Sequence, residues 1–185
     1  MIRTIEERLA AVEAQLAIRQ LASSYARAVD SRDIHSLGEL FAPQTRFGEH
    51  GTGAAGARAF YGPVLARFYR SFHQVVGHVI TDLGSETARG TVYCRAEHED
   101  GDQWIVNLMV YFDRYVAIEG RWLFLGRRPR FLFVGDAREA PRSLDFNKWP
   151  GREEDFACEL PQSDASWNSY WNEREAERAE VTTLP

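Results

Sequence analysis

The chain has 185 residues, with 22 Lys and Arg against 27 Asp and Glu, a formal net charge of −5. At 44% apolar and 26% charged it has the make-up of one globular domain with room for an appendage, which excludes a disordered chain. The acidic balance disfavours nucleic acid or an anionic membrane as partner, and no apolar run approaches the roughly 18 residues of a membrane-spanning helix.

The first residues, Met1 to Arg8, are amphipathic and acidic, without the apolar core of a secretory signal, so a cytoplasmic protein is expected. Its two cysteines, Cys94 and Cys158, are expected to be reduced thiols. Neither CxxC nor HExxH, GxGxxG, GxSxG or a P-loop occurs, which removes the usual support for zinc-ribbon, dinucleotide-binding, hydrolase and NTPase readings.

Residues 4–29 carry Ile5, Leu9, Val12, Leu16, Leu21, Tyr25 and Val29 at helical spacing, with Thr4 and Glu7 as a capping box. Asp30 to Asp33 break the pattern, and Asp33 is positioned to cap a short helix from Ile34 to Phe41. Thr45 to Phe47 reads as a short strand and Glu49 to Gly56 as a loop. Ala57 to Phe72 reads as a third helix, which Gly62-Pro63 kinks or interrupts. The period then changes. Strands are expected at Gln74 to Thr81, Ala88 to His98 and Trp104 to Tyr115, with a fourth made of Trp122 to Gly126 and then Arg130 to Val134. In the second of these Ala88, Gly90, Val92, Cys94, Ala96 and His98 share one face. The third is apolar on both faces, so one face is expected on the helices and the other on a second subunit, making a homodimer or homotrimer. Helices followed by a meander define an α+β class. Residues 136–185 change character, with Pro141, Pro150 and Pro161 and a last helix capped by Ser163 or Asp164 that carries Trp167, Tyr170 and Trp171.

Several side chains could carry chemistry. Asp30 ends the first helix, where the negative end of the macrodipole makes a shielded carboxylate a stronger base. His73 opens the first strand, and His98 ends a face otherwise made of Ala, Gly, Val and Cys, so it is buried or lines a cavity. His35 and His50 have weaker claims. Strict alternation puts His78 on the face opposite His73. Asn107 is an isolated amide in the apolar run Ile105 to Val110, and a buried amide needs partners. Tyr25 lies five positions before Asp30. Of Arg127, Arg128 and Arg130, Arg130 is the one expected to reach a pocket mouth. Two His and one Asp also match the composition of a non-haem iron triad, but an acid–base set without metal or cofactor is preferred.

The order of elements, with Tyr25 to Asp33 (YARAVDSRD), Ala42-Pro43, Phe72-His73, Gly90 to His98, Asn107 and Trp122 to Pro129 (WLFLGRRP), resembles the SnoaL-like branch of the nuclear-transport-factor-2-like superfamily, and scytalone dehydratases in particular. The Tyr25–Asp30 spacing is similar to that of bile-acid 7α-dehydratases. The resemblance covers about residues 8–134. It implies a cone-shaped α+β barrel in which three N-terminal helices pack in a curved, mostly antiparallel sheet around an apolar pocket. Residues 1–135 would then be the catalytic domain, and residues 136–185 an extension packing on it or on a neighbouring subunit. Val29 and Glu49 stand where scytalone dehydratases have tyrosines, which argues for a different substrate.

The resemblance implies a cofactor-independent lyase. His73 would be the base and Asp30 its partner. His98 would act on the leaving oxygen or steer it, and Tyr25 and Asn107 would bind a developing oxyanion. Arg130, Trp104 and Phe47 complete the residues expected at an aromatic, polycyclic or steroid-like substrate. The leaving group is water or another small group, such as formaldehyde from an aryl diol. An isomerase or cyclase, or a ligand-binding module, is the alternative.

Overall fold

The Thr4 hydroxyl accepts the Glu7 N–H at 3.2 Å and the Glu7 carboxylate accepts the Thr4 N–H at 2.8 Å, so the capping box forms and starts α1, Ile5–Asp30. The computed structural model describes residues 4–139, 149–150 and 164–182. Only the second half of α1 packs: Ile18, Leu21, Ala22, Tyr25 and Val29 are buried, whereas Ile5, Leu9, Val12 and Leu16 are exposed. The apolar periodicity is continuous along the helix, but the sheet is long enough to cover only its C-terminal part.

A Schellman turn ends α1, with Arg32 N–H on Val29 O at 3.2 Å and Asp33 N–H on Ala28 O at 2.9 Å. The left-handed position belongs to Arg32 (φ 58) rather than glycine, at a backbone cost of about 1–2 kcal/mol. Asp33 then caps α2, Ile34–Gly38, by accepting the Ser36 N–H at 2.9 Å. The helix stops short of the expected Phe41 because the sheet edge takes the next backbone groups. Leu40 O accepts the Phe124 N–H and Phe124 O accepts the Ala42 N–H, both at 2.9 Å.

Thr45 to Phe47 forms no strand. A single bridge between Arg46 and Thr52 closes a loop around a 3₁₀ turn, Gly48–His50. The next helix, α3, runs Gly53–Ala66, earlier than expected at both ends, and Pro63 lies within it. Gly53 starts it in a left-handed conformation (φ 59) against the Pro43 carbonyl, where a Cβ would approach to 2.9 Å. Tyr69 N–H, donating to Glu99 O at 3.1 Å, draws the following chain into the sheet.

Four antiparallel strands follow in sequence order: β1 Ser71–Leu83, β2 Thr87–Asp100, β3 Gln103–Ile118 and β4 Arg121–Asp136. The sheet is curved and unclosed. Bulges in β1 between Val75 and Gly77 and between Ile80 and Asp82, and a register shift at Arg114/Tyr115, bend it around the helices. The face of β2 read from the sequence, Ala88 through His98, is the buried one. The first β1 bulge corrects the expectation for His78. Val75 pairs with Cys94 and His78 with Val92, so the extra residue returns His78 to the same inner face as His73. There its Nε2 lies 3.0 Å from the Tyr115 hydroxyl.

On the outer face Phe72, Tyr93, Leu108 and Phe112 remain exposed. Of the extension, Trp149 is buried, and α4, Ala165–Thr182, begins beside Asp164, whose carboxylate accepts from Arg130 at 3.0 Å. Ser163, Pro141, Pro161 and Cys158 lie outside the described residues. Among the described residues no helix is long and apolar enough to cross a membrane.

Candidate active site

The end of α1 and the start of β1 meet at one carboxylate. Asp30 Oδ2 accepts the His73 backbone N–H at 2.7 Å. Its Oδ1 lies 2.7 Å from His73 Nδ1 and accepts the Ser71 hydroxyl at 3.2 Å. These residues are 43 positions apart in the chain. A carboxylate that only accepts fixes the proton of His73 on Nδ1 and leaves Nε2, on the opposite ring edge, as the basic nitrogen. The Schellman turn serves this pair directly. Arg32 donates to the Ser71 hydroxyl at 2.7 Å, to Val29 O at 2.8 Å and to Phe68 O at 2.9 Å, tying the helix end to the strand start. Neither Arg32 nor Ser71 stood out in the sequence. The run Asp-Ser-Arg-Asp reads as a plain helix stop, and only the αL turn aims Arg32 at β1.

His73 and His98 are neighbours on the inner face, their rings 5.5 Å apart and nearly perpendicular. His98 is buried against Phe68, 4.5 Å between centroids, and Trp149, 5.8 Å. Burial in this aromatic slot, reinforced by His73, pulls the His98 pKa down to about 3, so it is a neutral imidazole at physiological pH. Asn107 is buried one strand further on, opposite Ala96. His98 Nδ1 and Asn107 Oδ1 are buried without a hydrogen-bond partner among the described residues.

His73, His98, Asn107, Phe68 and Trp149 line one cavity of about 1360 Å³, with Phe41, Phe47, Phe60, Leu65 and Phe131 in its apolar wall. Tyr25 lies deeper along α1. Its hydroxyl donates to Tyr61 at 3.3 Å, and burial raises the pKa of both phenols, which therefore stay protonated donors. Beside them is a residue that the sequence reading did not choose. Arg127 sits over the rings of Tyr25, Tyr111 and Phe124 at 4.3, 4.2 and 4.3 Å. It pairs bidentately with Asp113 at 2.9 and 2.6 Å. Burial alone would disfavour its charge, but the Asp113 carboxylate more than offsets this and raises the pKa. Asp113 also accepts the Tyr115 hydroxyl at 2.8 Å. The available signal was Asp113 itself, a carboxylate on the inward parity of β3 among Met109, Tyr111 and Tyr115, which requires a buried cation opposite it.

The structure brings His73, His98, Tyr25, Asn107 and Phe47 to the wall of one cavity, with Asp30 held behind His73, and it places Trp104 and Arg130 elsewhere. Trp104 pairs with Glu99 on the outer parity of the sheet, packs on Phe72 at 6.0 Å and donates to Glu97. Arg130 pairs with Val110, also on the outer parity, whereas Arg127, opposite Asp113, points inward. Among the described residues no three His, Cys, Asp or Glu side chains form a cluster that could hold a metal ion.

Known proteins share the fold of this chain. No curated protein matches the chain closely enough to assign kinship. Among solved structures, a provisionally named aromatic ring hydroxylase from Novosphingobium aromaticivorans is 25% identical, covering 68% of this chain and 94% of that one, with a TM-score of 0.61. The hexachlorocyclohexane dehydrochlorinase LinA-type3 of Novosphingobium barchaimii LL02 is 19% identical over 72% and 96% of the two chains, with a TM-score of 0.64. A provisionally named scytalone dehydratase from Novosphingobium aromaticivorans is 19% identical over 78% and 98%, with a TM-score of 0.61. The last two likenesses carry the fold, a fold used by dehydratase- and dehydrochlorinase-type proteins. The SnoaL-like domain model matches residues 10–128, well over half the sequence, and the chain belongs to the SnoaL-like family.

Proposed function

We propose that the chain is a cofactor-independent lyase that eliminates a small group, most simply water, from an aromatic, polycyclic or steroid-like molecule. The observation that carries this reading is the Asp30–His73 pair, whose bare Nε2 belongs to a side chain lining a large apolar cavity. His73 Nε2 takes a proton from a carbon next to an activating group. The electron pair of that C–H bond forms the new double bond and the C–O bond breaks. The departing oxygen collects the proton from the imidazolium, so substrate becomes alkene plus water and His73 returns to its starting state. Asp30 holds the tautomer and stabilises the imidazolium.

His98, being neutral, steers the leaving oxygen as a hydrogen-bond partner rather than protonating it. Asn107 and the protonated Tyr25, whose O–H turns from Tyr61 to do so, bind the oxygen on which negative charge develops, and Arg127 supports Tyr25 with its positive charge. Phe47 belongs to the apolar wall against the substrate body. The protein is read as a cytoplasmic homo-oligomer whose subunits meet through the outer sheet face, residues 1–135 forming the catalytic domain.

The test is to incubate the protein with hydroxylated aromatic and polycyclic ketones, following loss of water by mass spectrometry and the new conjugated double bond by absorbance. Turnover is expected in the wild type and not in His73→Ala. Solvent deuterium incorporated into an isomer of the substrate, with no loss of water, would transfer the reading to the isomerase alternative. Binding without any turnover would transfer it to the ligand-binding alternative.

A further inference from the structure

We propose that Trp149, from the extension beyond the family domain, is a positioning residue that caps the His98 end of the cavity, fixes the imidazole there and shields it from water. The catalytic meaning of that state rests on the elimination reading above. The physical claim about His98 does not.

The family match ends at residue 128, and Trp149 lies well beyond it in the chain. Nevertheless its ring is buried against the domain, packed on Phe68 at 5.5 Å and 36° and on His98 at 5.8 Å and 71°. Its indole N–H donates to Asp100 Oδ2 at 2.8 Å. Asp100 lies two residues past His98, at the end of the same strand, so the tether fixes Trp149 relative to His98 and not merely to the surface. Ile105 and Val134 complete the apolar floor around the indole.

Phe68, Trp149 and the imidazole are therefore in mutual ring contact, and both neighbours remove water from His98. The charged and titratable groups that face His98 are His73 on β1, Asp30 and Arg32 at the end of α1, and Asp100 on its own strand. His73 and Arg32 disfavour a second cation there, Asp30 and Asp100 favour it, and desolvation is the largest influence. Trp149 supplies the part of that desolvation that comes from outside the family domain. A neutral His98 cannot repel the imidazolium that forms on His73 5.5 Å away. Nor can it be protonated by bulk water between turnovers. Closing this end with a ring also keeps water from competing for the leaving position.

The test needs no substrate. The full-length protein, labelled in its histidines, is titrated by NMR, and the His98 signal is identified by its loss in His98→Gln. In the wild type His98 should show no titration above about pH 4. In Trp149→Ala the midpoint should rise by about two units, because exposing one face of a buried histidine returns part of a shift that reaches 3–5 units for fully buried groups. Trp149→Phe keeps the ring and loses only the bond to Asp100, so its midpoint should stay within about half a unit of wild type. Trp149→Leu provides the fallback if Trp149→Ala does not fold, with a rise of about one unit expected. The proposal is overturned if Trp149→Ala, or Trp149→Leu in its place, leaves the midpoint unchanged. It is equally overturned if Trp149→Phe moves the midpoint as far as Trp149→Ala does. Inactivity of the wild type on every ketone tested would count against the elimination reading and leave this result standing.

Discussion

Asp30→Asn isolates the element on which the catalytic reading depends. Asp30 accepts three hydrogen bonds, from His73 N–H at 2.7 Å, His73 Nδ1 at 2.7 Å and Ser71 Oγ at 3.2 Å. An asparagine offers one carbonyl oxygen and one amide group that only donates. With the oxygen facing the His73 backbone N–H, the amide meets Nδ1 and forces His73 into the tautomer protonated on Nε2. With the oxygen facing Nδ1, two N–H groups confront each other at the backbone. The second arrangement leaves a buried donor unsatisfied, at about 1–3 kcal/mol, so the first should prevail.

The variant should therefore fold, lose about 1–3 kcal/mol with its charge-assisted bonds, and carry its basic nitrogen on the wrong edge of the ring. Two assays read this separately. Long-range ¹H–¹⁵N spectra of His73 should show Nδ1–H in the wild type and Nε2–H in Asp30→Asn. Turnover should fall by about 10²–10⁴-fold. A His73 that keeps its Nδ1 proton in Asp30→Asn would refute the tautomer argument. Unchanged turnover with the switched tautomer would remove His73 Nε2 as the base.

Asp113→Ala leaves the caged Arg127 charge buried without its carboxylate, and chemical denaturation should show a loss of about 3–5 kcal/mol. His98 predicts acid lability. Its pKa is near 6.5 unfolded and about 3 folded, so between those values the unfolded chain binds the extra proton. That contribution is complete above pH 6.5 and is lost as the pH falls towards 3, on the order of 5 kcal/mol in all. His98→Phe should flatten the pH dependence of stability across this window, and an unaltered slope would count against a buried neutral His98. For the outer sheet face, sedimentation at micromolar concentration should show a dimer or trimer. Substituting Phe112 and Leu108 together by Glu should give monomers, whereas a monomeric wild type would contradict the interface reading.

Much of this molecule was readable from local chemistry. The capping box at Thr4, the Asp33 cap and the alternation from Ala88 to His98 depend on neighbours a few positions away, where side-chain type and period determine the outcome. His73 was assigned to a strand start and Asp30 to a helix end by the same means, and the inward face of β2 made His98 a cavity residue. Tertiary structure decided what local pattern cannot carry. One extra residue at Val76 reverses the parity as far as the second bulge after Ile80, which turns His78 inward, and no periodicity shows a bulge before its partner strand is in place. Arg127 rather than Arg130 faces the cavity because register with β3 sets Arg127 opposite Asp113. Arg32 reaches Ser71 through a left-handed turn that its residue type does not favour. Trp149 meets His98 across 51 positions of chain, and that contact exists only because Asp100, Phe68 and the floor of β3 and β4 together form a slot that fits an indole.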